Sequence, residues 1–362
     1  MQQASVSKGS TYAARRPGAR LAWIGKAFLV ALAVGVLVLL VPNAIKTPSL
    51  FIQIILSGLQ LGFVYAMIAL GYTMVYGIVK LINFAHGDIF MVGAFVSYYL
   101  VARFQFHMWP AIVFPGFPTM PALLIGMLSV MLFCILVCVA MAVTIERVAY
   151  KPLRDAPRIA ALITAIGVSF FLESFTALRF AFSADYITYK RPFEVTVWKF
   201  WGLSITNATV IIVGVTLALV LGLQYVIRRT KIGKAMRATS LDKSAARLMG
   251  INVDGVITFT FALGAALAGA AGTLYAIAFP QIWTFMGIMP GLKAFTAAVL
   301  GGIGSVPGAF VGSLLMGTVD VLVVSFLPLG SRLRDLFAFL VLIVVFLVKP
   351  TGIFGEPQVE KV

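Results

Sequence analysis

The chain alternates between long apolar runs and short polar connections. Runs near 51–79, 88–104, 121–145, 159–182, 207–227, 255–279, 305–327 and 333–350 stand out, with a shorter apolar piece at 291–304. About 20 apolar residues carry an α-helix across a bilayer, and these runs sit near that length. An earlier run, "LAWIGKAFLVALAVGVLVLLV" at 21–41, follows a polar, small and basic stretch over 1–20. The pattern predicts an all-α polytopic membrane protein with about 9–10 transmembrane helices, one of them short or broken. The 51–79 run exceeds one straight span and holds Gly58, Gly62, Gly71 and Gly77, so it is expected to bend or tilt.

Composition agrees with lipid as the solvent. Hydrophobic residues make up 61% of the chain and charged residues 11%, with mean hydropathy +1.03. A soluble domain has roughly 45–50% apolar and about 25% charged residues, and it needs polar covering that this chain lacks. The net charge of +16 comes from 28 Lys and Arg against 12 Asp and Glu. These basic residues collect between apolar runs, as the positive-inside pattern requires and a nucleic-acid footprint does not.

The charge pattern also orients the chain. The 228–252 loop, "RRTKIGKAMRATSLDKSAARLMGIN", carries seven basic residues and one acid; the 146–158 loop carries four and two. Arg15, Arg16 and Arg20 precede the first run. All three regions are expected in the cytoplasm, as is a C-terminal tail over 351–362, while the Lys- and Arg-free connection near 105–120 faces out. Residues 1–20 read as a disordered cytoplasmic tail, and 21–50 as an additional span and linker. A signal peptide is the competing reading of 21–41, but "VPNAIKTPS" matches an A-x-A cleavage site poorly. Cys134 and Cys138 lie one turn apart in an apolar run, a spacing unsuited to a disulfide, and are expected to pack in the membrane.

Three stretches break the apolar pattern. "NFAHGD" puts Asn83, His86, Gly87 and Asp88 between two runs. One reading is an interfacial turn, with Asn83 or Asp88 capping the next helix. The other is a break in membrane-embedded backbone, which survives only where protein or a water-filled cavity satisfies it. The second stretch, 287–317, is rich in glycine and contains Pro290 and Pro307, so it is a poor continuous helix. Gly308 and Gly312 fit a small-xxx-small packing pattern, and Lys293 is expected to snorkel to the outer interface. The third is the basic loop, with helical propensity through Arg247 to Met249 and a stop at Gly250. Two acids sit inside apolar runs, Glu173 and Asp320. A charge at the bilayer centre costs about 2.5–3.5 kcal/mol, so each should face the bundle or a cavity. Glu173 and Arg179 are about 240° apart around a helix and should not pair.

No catalytic set or metal site is visible. There is no G-x-x-x-x-G-K-[ST] phosphate loop, and His86 and His107 are the only histidines.

Several segments together carry a resemblance: "ALGYTMVYGIVKLINFAHGD", "IERVAYKPLR", "ALITAIGVS", "LMGINVDGVITFTFALGAALAGAAG", "MPGLKAFTAAVLGGIGSVPGAFVG" and "PTGIFGEP". From about residue 52 onward the chain resembles the high-affinity branched-chain amino-acid ABC transporter permeases of the LivH type. The resemblance implies a permease domain over 51–350 that works by alternating access in the bacterial inner membrane. It implies a paralogous, LivM-like second permease, two cytoplasmic ATPases and a periplasmic substrate-binding protein as partners. No cofactor is expected in this chain; ATP and Mg would bind the partner ATPases. The basic loop resembles the E-A-A-x-x-x-G loop of ABC importer permeases, with Ser244 at the glutamate position followed by Ala245, Ala246 and Gly250, and so implies ATPase coupling. Asn83, His86, Gly87, Asp88, Lys293, Thr296, Gly301, Gly302 and Gly304 are implied at the translocation pathway or gate. The alternatives are a urea or short-amide importer permease and an independent ion-coupled secondary transporter.

Overall fold

The computed structural model describes Pro42 and residues 45–116, 118–154, 156–327, 330–349 and 351–355. The tail over 1–20, the 21–41 run and residues 356–362 lie outside the described residues. Among those described, six helices are long and apolar enough to cross a membrane, or seven if one bent pair is a single span.

Helix α1 (Pro48–Val79) is unbroken over 32 residues, so its glycines do not interrupt it. Gly58 and Gly62 instead let another backbone approach, because a Cβ on either would lie within 2.7 Å of Thr318 or Leu314. Helix α2 (His86–Tyr98) continues through a π turn at Tyr99–Arg103, then bends by 64° toward α3 (Trp109–Val113). Helix α4 (Thr119–Ile145) ends in a second π turn, Glu146–Tyr150. Its Cys134 and Cys138 are buried and free.

Helix α5 (Arg158–Thr176) stops short of the expected 182. The Thr176 hydroxyl donates back to Leu172 and Glu173, and the chain turns through Ser183 at φ 71°. Of the residues that follow, Phe182 stacks flat on Phe95 at 4.6 Å, while Leu178 and Phe180 are exposed. The connection that follows has strands the hydropathy pattern does not reveal. β1 (Ile187–Thr188) comes first, then the hairpin of β2 (Val197–Phe200) and β3 (Leu203–Thr206), closed by Trp201 and Gly202 at positive φ. Gln53 of α1 makes two hydrogen bonds to the Ser204 backbone, at 3.0 and 2.8 Å, and fixes the hairpin to that end of the bundle.

Thr206 caps α6 (Asn207–Arg229), accepting from the Thr209 N–H. The basic loop is two short helices, α7 (Lys231–Leu241) and α8 (Lys243–Leu248). Helix α9 (Val253–Ala278) returns across the bundle, and Arg191 donates to its last carbonyls, Ile277 and Ala278. Strand β4 (Gln281–Ile282) pairs antiparallel with β1. Helices α10 (Ile288–Gly301), α11 (Val306–Phe326) and α12 (Gly330–Val348) complete the order. Helices α9 and α1 bury 72% and 61% of their most apolar windows, against 22% for α5 and α6. The first pair is therefore the centre, and the others turn apolar faces outward, as lipid allows.

Candidate translocation site and coupling surface

Helix α1 ends on Lys80, a left-handed cap at φ 60°. Residues 81–85 then run back beside α1, and Asn83 and Ala85 are buried. Helix α2 starts against Gly71, about two turns before α1 ends. The segment is thus a break between two helices buried inside the bundle, and the capping role expected at an interfacial turn is not seen. No side chain caps α2. Asn83 instead accepts a hydrogen bond from the Tyr150 hydroxyl at 2.7 Å. The His86 ring lies edge-on to Tyr72 at 4.9 Å, between Gly71 and Gly264, and its Nε2 is buried without a hydrogen-bond partner.

Helix α10 starts beside α2. After β4 the chain turns inward until the Gly287 carbonyl lies 2.5 Å from where a Cβ on Gly87 would be, with Gly291 Cα at 3.3 Å. Two helix N-termini, each carrying a partial positive charge, therefore abut through glycine backbone; the His86 and Asp88 N–H groups are already bonded to Asn83 and Ala85, and those of Ile288 and Gly291 to Phe285 and Gly287. From there α10 runs toward the end of α1, where Gly304 faces Gly77. Gly302 and Gly304, at φ 110° and 100°, turn the chain into α11. Gly301 packs on Gly308, and Leu300 and Gly301 accept hydrogen bonds from Ile353 and Phe354 of the C-terminal segment. These glycines lie away from the α2 start. Thr296 is fully buried and donates back to Leu292.

Lys293 does not snorkel. It is buried, 2.9 Å from Asp320 and 2.8 Å from Asp335. Asp320 also accepts from Arg334 at 2.6 Å and from the Tyr65 hydroxyl at 2.9 Å. A buried ammonium is held in place when carboxylates satisfy it, and two are within reach here. The network accounts for Asp320 and ties α10 to α1, α11 and α12.

A cavity of about 180 Å³ opens between α2, α5 and α10. Tyr72, Phe84, Asp88, Ser169 and Glu173 line it, with the backbone of Gly287 and Gly291. Asp88 accepts from the Ser169 hydroxyl. Glu173 lines the same cavity as Asp88. The mid-run acid at 173 was the sequence signal for this part of the site. Ser169 and Tyr150 gave no comparable signal, since a serine or tyrosine in a span is ordinary.

At the basic end, Thr230 caps α7 and Asp242 caps α8, the latter accepting from the Ser244 and Ala245 N–H groups. The expected helix and its stop are present, and Gly250 has φ +79°. Ala246 faces inward, into a cluster with Tyr150, Ile257 and Phe261. Ser244, Ala245 and Gly250 are exposed. So are Leu241, Leu248 and Met249, each more than 80% exposed. This end is basic, capped and carries three bare apolar side chains.

Comparison with known proteins adds to this geometry. A family model described as the permease component of branched-chain amino acid transport systems matches residues 54–346. The high-affinity branched-chain amino acid transport system permease protein LivH of Salmonella typhimurium is 42% identical over 316 residues, covering 86% of this chain and 98% of that protein. LivH of Escherichia coli K12 is 42% identical over 318 residues, with the same coverage. The corresponding permease protein BraD of Pseudomonas aeruginosa is 39% identical over 314 residues, again covering 86% and 98%. With a multi-pass helical bundle, a match across nearly all of it and relatives of this identity, the chain belongs to the family of branched-chain amino acid transport system permease components.

Proposed function

We propose that this chain is a membrane permease subunit of an ATP-driven importer for branched-chain or related neutral amino acids, in the bacterial inner membrane. Its partners are a LivM-like second permease, two cytoplasmic ATPases that bind ATP and Mg, and a periplasmic substrate-binding protein. The observation that carries the reading is the meeting of two half-helix starts beside a largely apolar cavity that holds two carboxyl groups, Asp88 and Glu173, in a chain of this family. Broken helices whose N-termini meet inside a membrane are suited to anionic groups of a cargo. A zwitterionic amino acid has a carboxylate for those N-termini and an ammonium for Asp88 and Glu173. Phe84, Phe170 and Leu292 offer apolar surface for an aliphatic side chain.

The remaining residues have supporting roles in this scheme. Gly87 admits α10, Asn83 and His86 hold the start of α2, and Lys293 and Thr296 hold α10. Gly301, Gly302 and Gly304 form the turn on which α10 joins α11. Cargo selection falls to the binding protein, so the permease needs a hydrated path with weak contacts. ATPase closure acts on α8 through Leu248, Met249 and the turn at Gly250. The experiment is uptake by liposomes holding the purified complex, with loaded binding protein outside and ATP inside. Uptake of leucine, isoleucine or valine that requires both components supports the reading. Uptake by this chain alone on an ion gradient would overturn it.

A further inference from the structure

We infer that Tyr150 is a positioning residue that carries motion of the coupling helix α8 to the start of α2, and so to the cavity. This rests on the coupling reading of α8 above. Helix α8 buries one residue, Ala246, and that residue sits in a cluster with Tyr150, Ile257 and Phe261. The Tyr150 ring stacks on Phe261 at 5.4 Å and 29°. Its hydroxyl reaches across to the Asn83 side-chain oxygen at 2.7 Å, a hydrogen bond that is buried. The Asn83 carbonyl in turn accepts from the His86 N–H, which begins α2, and Asp88 lies two residues further on, in the cavity. One aromatic side chain is therefore bonded to the broken segment and belongs to the same buried cluster that receives the inner face of α8.

Two other observations agree with a relay. First, Tyr150 is held by its own backbone. The π turn that presents it begins at Glu146, a fully buried acid that accepts from Arg154 and from the Thr258 hydroxyl at 2.8 Å. Arg154 also bonds Asp254 at 2.6 Å, and Asp254 lies 3.7 Å from Arg247 of α8. The end of α4, the base of α9 and α8 thus form one tied body. Second, the broken segment has room to move. A cavity of about 220 Å³ lies beneath it, lined by Lys80, Leu81, Glu146, Tyr150, Arg154 and Lys243. Coupling through packed side chains needs an element with two arrangements; a short non-helical strap over a void, held by one buried side-chain bond to the tied body, has that form.

The test uses the complete transporter with Phe84→Cys as the probe, since position 84 lines the cavity and Cys134 and Cys138 are buried. Labelling by a water-soluble thiol reagent is compared in the nucleotide-free and ATP-trapped states. In the otherwise wild-type complex, labelling should change with nucleotide. Tyr150→Phe removes only the hydroxyl; it should abolish that change and lower uptake per ATP hydrolysed by roughly fivefold to tenfold, as expected for one buried hydrogen bond. Asn83→Leu tests the same bond from the other side and should act alike, while Asn83→Asp keeps the acceptor and should retain the nucleotide response. Amounts of assembled complex and melting temperature are measured alongside, because a purely structural residue would move those and leave the nucleotide response intact. The inference is overturned if Tyr150→Phe and Asn83→Leu both keep nucleotide-dependent labelling, or if the wild type shows none. Leu248→Ser with Met249→Ser tests the coupling surface separately. Normal uptake in that variant, with the response still lost in Tyr150→Phe, would sink the coupling reading of α8 and keep the role of Tyr150.

Discussion

The imidazole of His86 occupies the side-chain space that Gly71 leaves empty, so that a Cβ on Gly71 would fall 2.1 Å from Nε2. The two residues are a fitted pair across α1 and α2. Gly71→Ala should destabilise the protein by about 1–3 kcal/mol, the usual cost of overpacking, and the measurement is a thermal melt in detergent. Adding His86→Ala should recover part of the loss. A Gly71→Ala variant that melts as the wild type does would contradict the pairing.

Lys293→Met should be far more harmful than a surface substitution. Removing one partner of a buried ion pair costs about 3–5 kcal/mol. Arg334 and Tyr65 still hold Asp320, so the low end of that range is expected. Pairing it with Asp320→Asn should restore some folded protein, read as the monodisperse fraction after detergent extraction. If the double variant is worse than Lys293→Met alone, the network does not work as an ion pair.

Asp88→Asn and Glu173→Gln act on the proposed cargo contacts. Each should lower the initial uptake rate by roughly tenfold, the scale of a hydrogen bond to a charged group, with the affinity for loaded binding protein unchanged. The check is initial-rate uptake beside a binding-protein titration. Equal losses in both measurements would point to a folding defect.

Gly250 isolates backbone conformation from packing. It sits at φ +79°, and a Cβ there would meet nothing within 4 Å. Gly250→Asn should therefore keep most activity, because asparagine tolerates the left-handed region, whereas Gly250→Val should not. Co-purification of the ATPases with each variant gives the readout, and equal capture would remove this turn from the coupling surface.

Much of this bundle was legible as hydropathy. The runs at 51–79, 207–227, 255–279 and 305–327 correspond to helices because lipid selects long apolar segments. The end of α5 was not legible: residues 177–182 extend the apolar run, interrupted by Arg179, yet the helix ends at Thr176 and Phe182 packs back on Phe95. Hydropathy cannot separate burial in protein from burial in lipid. The short strands were hidden because their pairing depends on distant partners, such as Ile187 with Ile282. The site was visible in part. A polar cluster at 83–88 and an acid at 173 are conspicuous in an apolar chain, but their meeting depends on α5 crossing beside α2. Lys293 misled, since a lysine near the end of an apolar run ordinarily reaches for water, and only the fold shows Asp320 and Asp335 within reach.

The contact between α2 and α10 is made by glycine backbone at 87, 287 and 291. Interlocking side chains would fix such a joint in one register, as knobs fix a gear. Bare backbone surfaces carry no teeth. They let one helix glide past the other by small amounts without first unpacking anything. The same surfaces admit no added methyl group, so the joint is permissive in motion and strict in composition. Under the proposed transport function, a bearing of this kind suits a passage that must open and close many times without coming apart.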